Sequence, residues 1–117
     1  SHSDKMVGVM LSQKNAGLDV QVFDEKLKRI KDKFTTSQEV SRIKAPTELA
    51  ALSLTWSIKE AIFKYYGTGV PFKSIMVENH NPITNIVRVS LQRQGKTIIH
   101  KLFGDFLDDL SLAYVLE

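Results

Sequence analysis

The chain has 117 residues, of which 43% are hydrophobic and 25% are charged, as in a single small globular domain. It contains no cysteine, which excludes disulfide bonds and thiolate metal sites, and its apolar runs are too short to span a membrane. The net charge is +3. No stretch has the pattern of a secretory signal, so we expect a cytoplasmic protein.

Basic residues are concentrated in one segment, residues 26–44. They are Lys26, Lys28, Arg29, Lys31, Lys33, Arg42 and Lys44. Such a segment favours an acidic partner, which could be nucleic acid, a nucleotide or an acidic protein. A solvated helix surface is the alternative, and charge alone does not decide between the two.

The first part of the chain predicts two strands followed by two helices. Short apolar runs at residues 5–11 and 17–22, joined by turn residues, predict a hairpin. Apolar residues then recur at helical spacing over residues 24–34. The stretch "TTSQEVSRI" predicts a second, short helix whose first turn is capped by the hydroxyl of Thr36 or Ser37.

The second part predicts one long helix and then strands. Pro46 suits the first turn of this helix, which should run to Tyr66 and end at Gly67. The remaining pattern predicts strands at 72–77, 85–92, 96–103 and 111–116. The "RQGK" stretch is a hairpin turn between two of them. We therefore predict an α+β domain over residues 1–117, with helices packed on a mostly antiparallel sheet.

The long helix carries charged and aromatic side chains in adjacent columns. Because residues four apart share a helix face, Trp56, Glu60 and Lys64 form one column, and Lys59 and Phe63 lie in the next. A carboxylate and an ammonium at this spacing can simply pair, which stabilises a helix by about 0.2–0.5 kcal/mol. The helix pattern alone leaves open whether these charges do chemistry.

Two further stretches add polar groups at unusual places. Asp19 lies within an apolar strand, where a buried carboxylate needs a cation, hydrogen bonds or water. His2 lies between Ser1 and Ser3, immediately before the first predicted strand. Of the remaining histidines, His80 is expected in a surface loop before a proline, and His100 is expected to be half-buried in a strand.

Taken together, three stretches resemble the 4′-phosphopantetheinyl transferase superfamily. The stretches are Ser1-His2-Ser3, Gly17-Leu18-Asp19-Val20-Gln21 and Trp56 through Gly69. The segment "KFTTSQE" is similar to the one that the family has between the last two. The resemblance covers nearly the whole chain in the family's order. It is nearest to the C-terminal half of the two-half, surfactin-type enzymes, which are related to the shorter, trimeric holo-acyl-carrier-protein synthases.

The resemblance implies an activity and a metal. Family members transfer the 4′-phosphopantetheine group of coenzyme A to a serine of an acyl or peptidyl carrier protein, and they use Mg²⁺. By the match, Asp19 and Glu60 are the carboxylates that hold the metal. Gln21 stands where the surfactin-type enzymes commonly have a further glutamate, so it would supply only a neutral amide oxygen.

The resemblance also implies roles for the other polar residues. Glu60 would be the base that takes the proton of the carrier serine, and Lys64 would contact the phosphate of coenzyme A. Lys59 would help to bind or protonate the leaving group. His2, with Ser3, would bind coenzyme A, and His2 would contact its 3′-phosphate.

The expected partners follow from the same resemblance. They are coenzyme A and an acidic carrier protein that would meet the basic segment 26–44; neither nucleic acid nor a membrane is expected. A homo-oligomer could replace a missing half. Two alternatives stay open: a catalytically silent homologue or half-domain that binds carrier protein or coenzyme A without turnover, and a nucleic-acid-binding module suggested only by the basic segment.

Overall fold

The computed structural model describes residues 17–67 and 69–116, and in them three helices pack against one five-stranded antiparallel sheet. The elements are β1 (Leu18–Val22), α1 (Lys26–Phe34), α2 (Ser37–Arg42), α3 (Glu48–Tyr66), β2 (Ile75–Asn81), β3 (Ile86–Arg93), β4 (Lys96–Leu107) and β5 (Leu110–Leu116). The predicted α+β class is confirmed. The predicted strand at 5–11 and its hairpin lie outside the described residues.

The sheet has the order β1-β5-β4-β3-β2, and α3 lies across one of its faces. The strand sequences alternate accordingly. In β3, Val87, Val89 and Leu91 are fully buried against the helix, whereas Arg88 and Gln92 on the other face are exposed. No helix in the described parts of the chain is long and apolar enough to cross a membrane.

The long helix α3 begins two residues later than its proline suggested. Thr47 is the N-cap, since its hydroxyl accepts a hydrogen bond from the Ala50 N–H at 3.1 Å. Pro46 therefore lies just before the cap rather than in the first helical turn, so that part of the prediction was wrong. The predicted end is confirmed: Gly67 has a φ of 85°, and its N–H donates to the Phe63 carbonyl at 3.0 Å.

The sheet edge at β2 departs most from the prediction. Residues Phe72–Ser74 form a 3₁₀ turn, and the strand runs to Asn81 rather than ending at residue 77. His80 was predicted in a surface loop but is only 4% exposed. Its Nδ1 accepts a hydrogen bond from the Lys44 N–H at 2.8 Å, and this tertiary contact is invisible in the local sequence.

The outer edge of β2 is covered by the short helix α2. Thr36 caps this helix, as one of the two predicted alternatives required, by accepting from the Glu39 N–H at 3.2 Å. Glu39 Oε2 in turn accepts from the Val77 N–H at 2.8 Å, and Arg42 Nη1 donates to the Val77 carbonyl at 2.8 Å. These side chains satisfy backbone groups that an edge strand would otherwise expose.

Close packing of α3 on β4 depends on one glycine. A Cβ added at Gly104 would lie 3.1 Å from Leu54 Cδ1 and 3.2 Å from Val87 Cγ2. The strand β4 runs through Gly104 to Leu107, beyond its predicted end at residue 103. The predicted turn between β3 and β4 is confirmed, with φ values of 53° at Gln94 and 74° at Gly95.

Candidate functional site

Asp19 of β1 and Lys64 of α3 form a close ion pair where the strand meets the last turn of the helix. Asp19 points to the helix face of the sheet and is only 7% exposed. Its Oδ1 accepts a hydrogen bond from Lys64 Nζ at 2.6 Å, and the same ammonium lies 3.4 Å from the Leu18 carbonyl. The structure thus joins two of the predicted site residues.

The carboxyl group of Asp19 is electrostatically unusual. Burial raises its pKa from 3.8 to about 6; the hydrogen bond and charge of Lys64 oppose this rise, and the charge of Glu60 adds to it. The second oxygen, Oδ2, is buried and has no hydrogen-bond partner. The Ser57 hydroxyl is near enough to lower the pKa slightly, but its hydrogen bond goes to Ser111. Oδ2 is therefore an acceptor that a cation could satisfy.

Glu60 lies one turn before Lys64 on α3 and is half-buried. Its charge acts on Asp19, so the two carboxylates belong to one electrostatic site. Within the described residues, Glu60 forms no hydrogen bond and no ion pair. Trp56, one turn before Glu60 on α3, packs edge-to-face on Phe34 and Phe72. These contacts anchor this part of the helix.

A metal at this site would need oxygen atoms in addition to the two carboxylates that the described residues offer. No group of three or more histidine, cysteine or acidic side chains that could hold a metal occurs in residues 17–67 and 69–116. Mg²⁺ is usually bound by one or two carboxylates together with water and substrate phosphates. The pair Asp19 and Glu60, with the unpartnered Oδ2, fits that type of ligand set and not an all-protein cage.

Gln21 follows Asp19 on the same face of β1 and is half-buried. Its amide nitrogen donates to the Val22 carbonyl at 2.8 Å, so the side chain turns toward its own strand. Its role as a ligand stays a prediction. The predicted coenzyme residues His2 and Ser3 lie outside the described residues.

Lys59 is buried on another side of α3. It is 1% exposed, and its Nζ donates to the Phe34 carbonyl at 2.6 Å, Glu39 Oε1 at 3.0 Å and the Phe72 carbonyl at 3.4 Å. Burial lowers the pKa of Lys59, and the charge of Glu39 opposes this shift. Successive helix residues differ by about 100° in direction, so Lys59 and Glu60 face different surroundings. The predicted role of Lys59 at the leaving group stays a prediction.

A cavity of about 320 Å³ lies beside this buried pair. Its lining residues are Asp32, Phe34, Thr35, Thr36, Glu39, Lys59, Lys73 and Met76. A neighbouring cavity of about 220 Å³ lies between α1 and α2. Neither Asp19 nor Glu60 lines either of these two cavities, so neither cavity coincides with the carboxylate site.

Sequence reasoning missed two residues that support the site. Glu39 had no predicted role, yet it is the partner of Lys59. Ser111 was not noticed at all, although its hydroxyl lies 2.7 Å from those of Ser53 and Ser57. A serine in an alternating strand gives no local signal for such a contact.

Comparison with known proteins gives one family. Residues 15–115 match the model of the 4′-phosphopantetheinyl transferase superfamily. The matched range contains β1, α1, α2, α3 and nearly all of the sheet, and with them Asp19, Glu60 and Lys64. No curated protein matches the sequence.

Proposed function

Because the chain belongs to the 4′-phosphopantetheinyl transferase superfamily, we propose that it transfers the 4′-phosphopantetheine group of coenzyme A to a serine of an acyl or peptidyl carrier protein, with Mg²⁺ as cofactor. The observation that carries this proposal is the convergence of Asp19, Glu60 and Lys64 at the junction of β1 and α3. The order of the motifs favours the C-terminal half of a surfactin-type enzyme, in the wider class of holo-acyl-carrier-protein synthases.

Asp19 and Glu60 are the proposed magnesium ligands. Asp19 offers the buried oxygen Oδ2, which lacks a partner, and Glu60 offers a carboxylate with no ion pair among the described residues. Gln21 would add a neutral oxygen after its amide releases the Val22 carbonyl. When bound, the ion would neutralise charge on the pyrophosphate of coenzyme A.

Glu60 and Lys64 are the proposed catalytic residues. The carrier serine Oγ attacks the phosphorus next to the pantetheine arm, a new P–O bond forms, and the bond to adenosine 3′,5′-bisphosphate breaks. Glu60 accepts the serine proton, which makes the hydroxyl a better nucleophile. Lys64, whose ammonium already lies against Asp19 with a 43% exposed side chain, binds phosphate oxygens and opposes their charge.

Lys59 enters the proposal as a positioning residue. All three of its hydrogen bonds go to protein oxygens, at the end of α1, on α2 and in the turn before β2. This ion pair fixes the rotation of α3, and Glu60 is the next residue along that helix. The role of Lys59 at the leaving group would require it to give up these bonds.

The proposed macromolecular partner is an acidic carrier protein. On α1, Lys28 pairs with Glu25 and Lys31 pairs with Glu48, both at 3.3 Å. The exposed side chains of Lys26, Arg29 and Lys33 form no ion pair with any residue in the described ranges. Unpaired positive charge on one helix would speed the encounter with an acidic protein and orient it.

A second candidate function is binding without turnover. It is favoured by Gln21, which brings no charge to the site and whose amide bonds its own strand. Such a protein would hold coenzyme A or a carrier protein but would not move the phosphopantetheine arm.

One experiment separates the two functions. The protein is incubated with coenzyme A, Mg²⁺ and several apo-carrier proteins, and the carrier mass is measured; an added phosphopantetheine group supports transfer, and its absence for every carrier supports the silent homologue. Glu60→Gln should abolish the mass gain without loss of fold. Glu48→Gln, at the other end of α3, is the matched control and should retain it. Transfer by Glu60→Gln would remove Glu60 from the mechanism.

A further inference from the structure

Three buried serine hydroxyls connect α3 to β5 and β1, close to Asp19 in the chain. Ser53 and Ser57 lie one turn apart on α3, Ser111 lies on β5, and all three are fully buried. Ser111 Oγ is 2.7 Å from both Ser53 Oγ and Ser57 Oγ. Ser53 and Ser111 also lie 3.4 Å from the Gln21 carbonyl of β1. We call these three residues the serine network.

Packing alone does not require hydroxyl groups at this contact. Ala61 of α3 and Ala113 of β5 are fully buried at the same helix–sheet interface, so alanine fits there. A hydroxyl in an apolar interior is costly unless it is hydrogen-bonded, and a connected group of them must be satisfied together. The serine network meets this condition. It contacts β1, the strand that carries Asp19, at the Gln21 carbonyl.

The two serines of the network on α3 lie on the same side of that helix as Lys64. Ser53, Ser57 and Lys64 follow one another at helical spacing along the side of α3 that faces β1. Apolar contacts are non-directional and tolerate sliding of a helix over a sheet. Hydrogen bonds to the Gln21 carbonyl and to Ser111 fix which turn of α3 stands opposite Asp19.

We propose that the serine network consists of positioning residues that hold β1 and α3 in the register at which Asp19 and Glu60 can bind one divalent ion, an inference that rests on the proposed function. Each hydroxyl can donate one hydrogen bond and accept others. Ser57 can donate to Ser111, Ser111 to Ser53, and Ser53 to the Gln21 carbonyl, which leaves Asp19 Oδ2 without a partner. A chain of hydrogen bonds with this direction links one side of α3 to the β1 backbone at Gln21, two residues from Asp19.

The test compares Ser111→Ala with a matched loss of a buried hydroxyl elsewhere on α3. Thr55 is fully buried, and its Oγ1 donates to the Ala51 carbonyl at 2.8 Å within the helix, away from β1. Thr55→Val is therefore the control. Mn²⁺ serves as the probe: its binding to the full chain without substrate is measured by the electron paramagnetic resonance signal of the free ion. The Mg²⁺ concentration for half-maximal transfer is measured in parallel.

We expect Ser111→Ala to weaken Mn²⁺ binding about tenfold or more, the size of effect seen when groups that orient metal ligands are removed. It should raise the half-maximal Mg²⁺ concentration by a similar factor, whereas Thr55→Val should change neither. Equal Mn²⁺ affinity in wild type and Ser111→Ala would overturn the inference. If Ser111→Ala does not fold, Ser57→Ala replaces it with the same expectation.

The outcomes also separate this inference from the proposed function. A wild-type protein that binds Mn²⁺ and modifies a carrier, with unchanged binding in both serine variants, would overturn only the positioning role. A wild-type protein that neither binds Mn²⁺ nor modifies any carrier would overturn both.

Discussion

The two lysine–carboxylate pairs of α3 have the same chemistry but opposite surroundings. In the pair of Lys59 with Glu39, the N–O distance is 3.0 Å and both side chains are 2% exposed. Glu39 has a partner for each oxygen, because Oε1 also accepts from Thr35 and Oε2 accepts from the Val77 N–H. In the pair of Lys64 with Asp19, the lysine side chain is 43% exposed and one carboxylate oxygen has no partner.

This difference separates a structural pair from a candidate functional pair. The buried pair has used its hydrogen-bonding capacity to join three parts of the fold, so a ligand could bind there only by displacing protein contacts. The pair of Lys64 with Asp19 has capacity left, at Oδ2 and at the exposed ammonium. Unmet hydrogen-bonding capacity in a half-open position is therefore a better guide to function here than the presence of a charge pair.

The largest expected effect comes from a substitution that breaks the buried pair of Lys59 with Glu39. Lys59→Met would leave the Glu39 carboxylate buried without its cation, and loss of one partner of such a pair costs about 3–5 kcal/mol. We expect the free energy of unfolding in urea to fall by that amount. Lys64→Met should lower the free energy of unfolding by less, because Asp19, with its pKa of about 6, can take up a proton. The same substitution should abolish transfer. Equal losses of stability in the two variants would contradict the distinction.

An intermediate effect concerns Asp19. Its pKa is raised from 3.8 to about 6, so the folded protein binds the proton more tightly than the unfolded chain, and ionisation above pH 6 destabilises the fold. Asp19→Asn should therefore raise the free energy of unfolding at pH 7.5, by on the order of 1–3 kcal/mol, while it abolishes Mn²⁺ binding.

The pH dependence gives this prediction its control. The gain from Asp19→Asn should be full above about pH 6 and should vanish as the pH falls below 3.8, where the carboxyl becomes protonated in both states. Unfolding midpoints in urea at a series of pH values measure it. A variant that is less stable than wild type at pH 7.5 would show that the Asp19 carboxylate stabilises the fold.

The smallest effect concerns the surface outside both pairs. Arg29→Glu on α1 should raise the KM for an acidic carrier protein several-fold and leave kcat unchanged, because a surface charge acts mainly on encounter. The difference from wild type should shrink at high salt. Lys101→Glu, on an exposed position of β4, is the control and should have little effect. Identical KM values for Arg29→Glu and wild type would remove α1 from carrier recognition.

The sequence was sufficient for the features that depend on local chemistry. The α+β class, the caps at Thr36 and Gly67 and the turn at Gly95 follow from residue type and spacing, and the structure confirms them. The resemblance to a family predicted that Asp19 and Lys64 belong to one site, but their direct ion pair was not predicted, since nothing in either stretch alone specifies the other.

The features that it missed depend on contacts between distant segments. Lys59 and Glu60 are adjacent and equally charged in magnitude, and only the packing of α1 and α2 decides which one is buried. His80 follows polar residues that are typical of a loop, yet the Lys44 N–H holds it inside the sheet edge. Ser111 is one serine in an apolar strand, and its partners are on a helix more than fifty positions away.

The covering of β2 by α2 has a consequence for assembly. With the N–H and carbonyl of Val77 occupied by Glu39 and Arg42, that border of the sheet is closed to a further strand at this point. At the opposite border, β1 has β5 as its sole neighbour among the described strands. A polypeptide that widens the sheet at the β1 border, whether from this molecule or another, would lie alongside Asp19 and would change the surroundings of that proposed metal ligand.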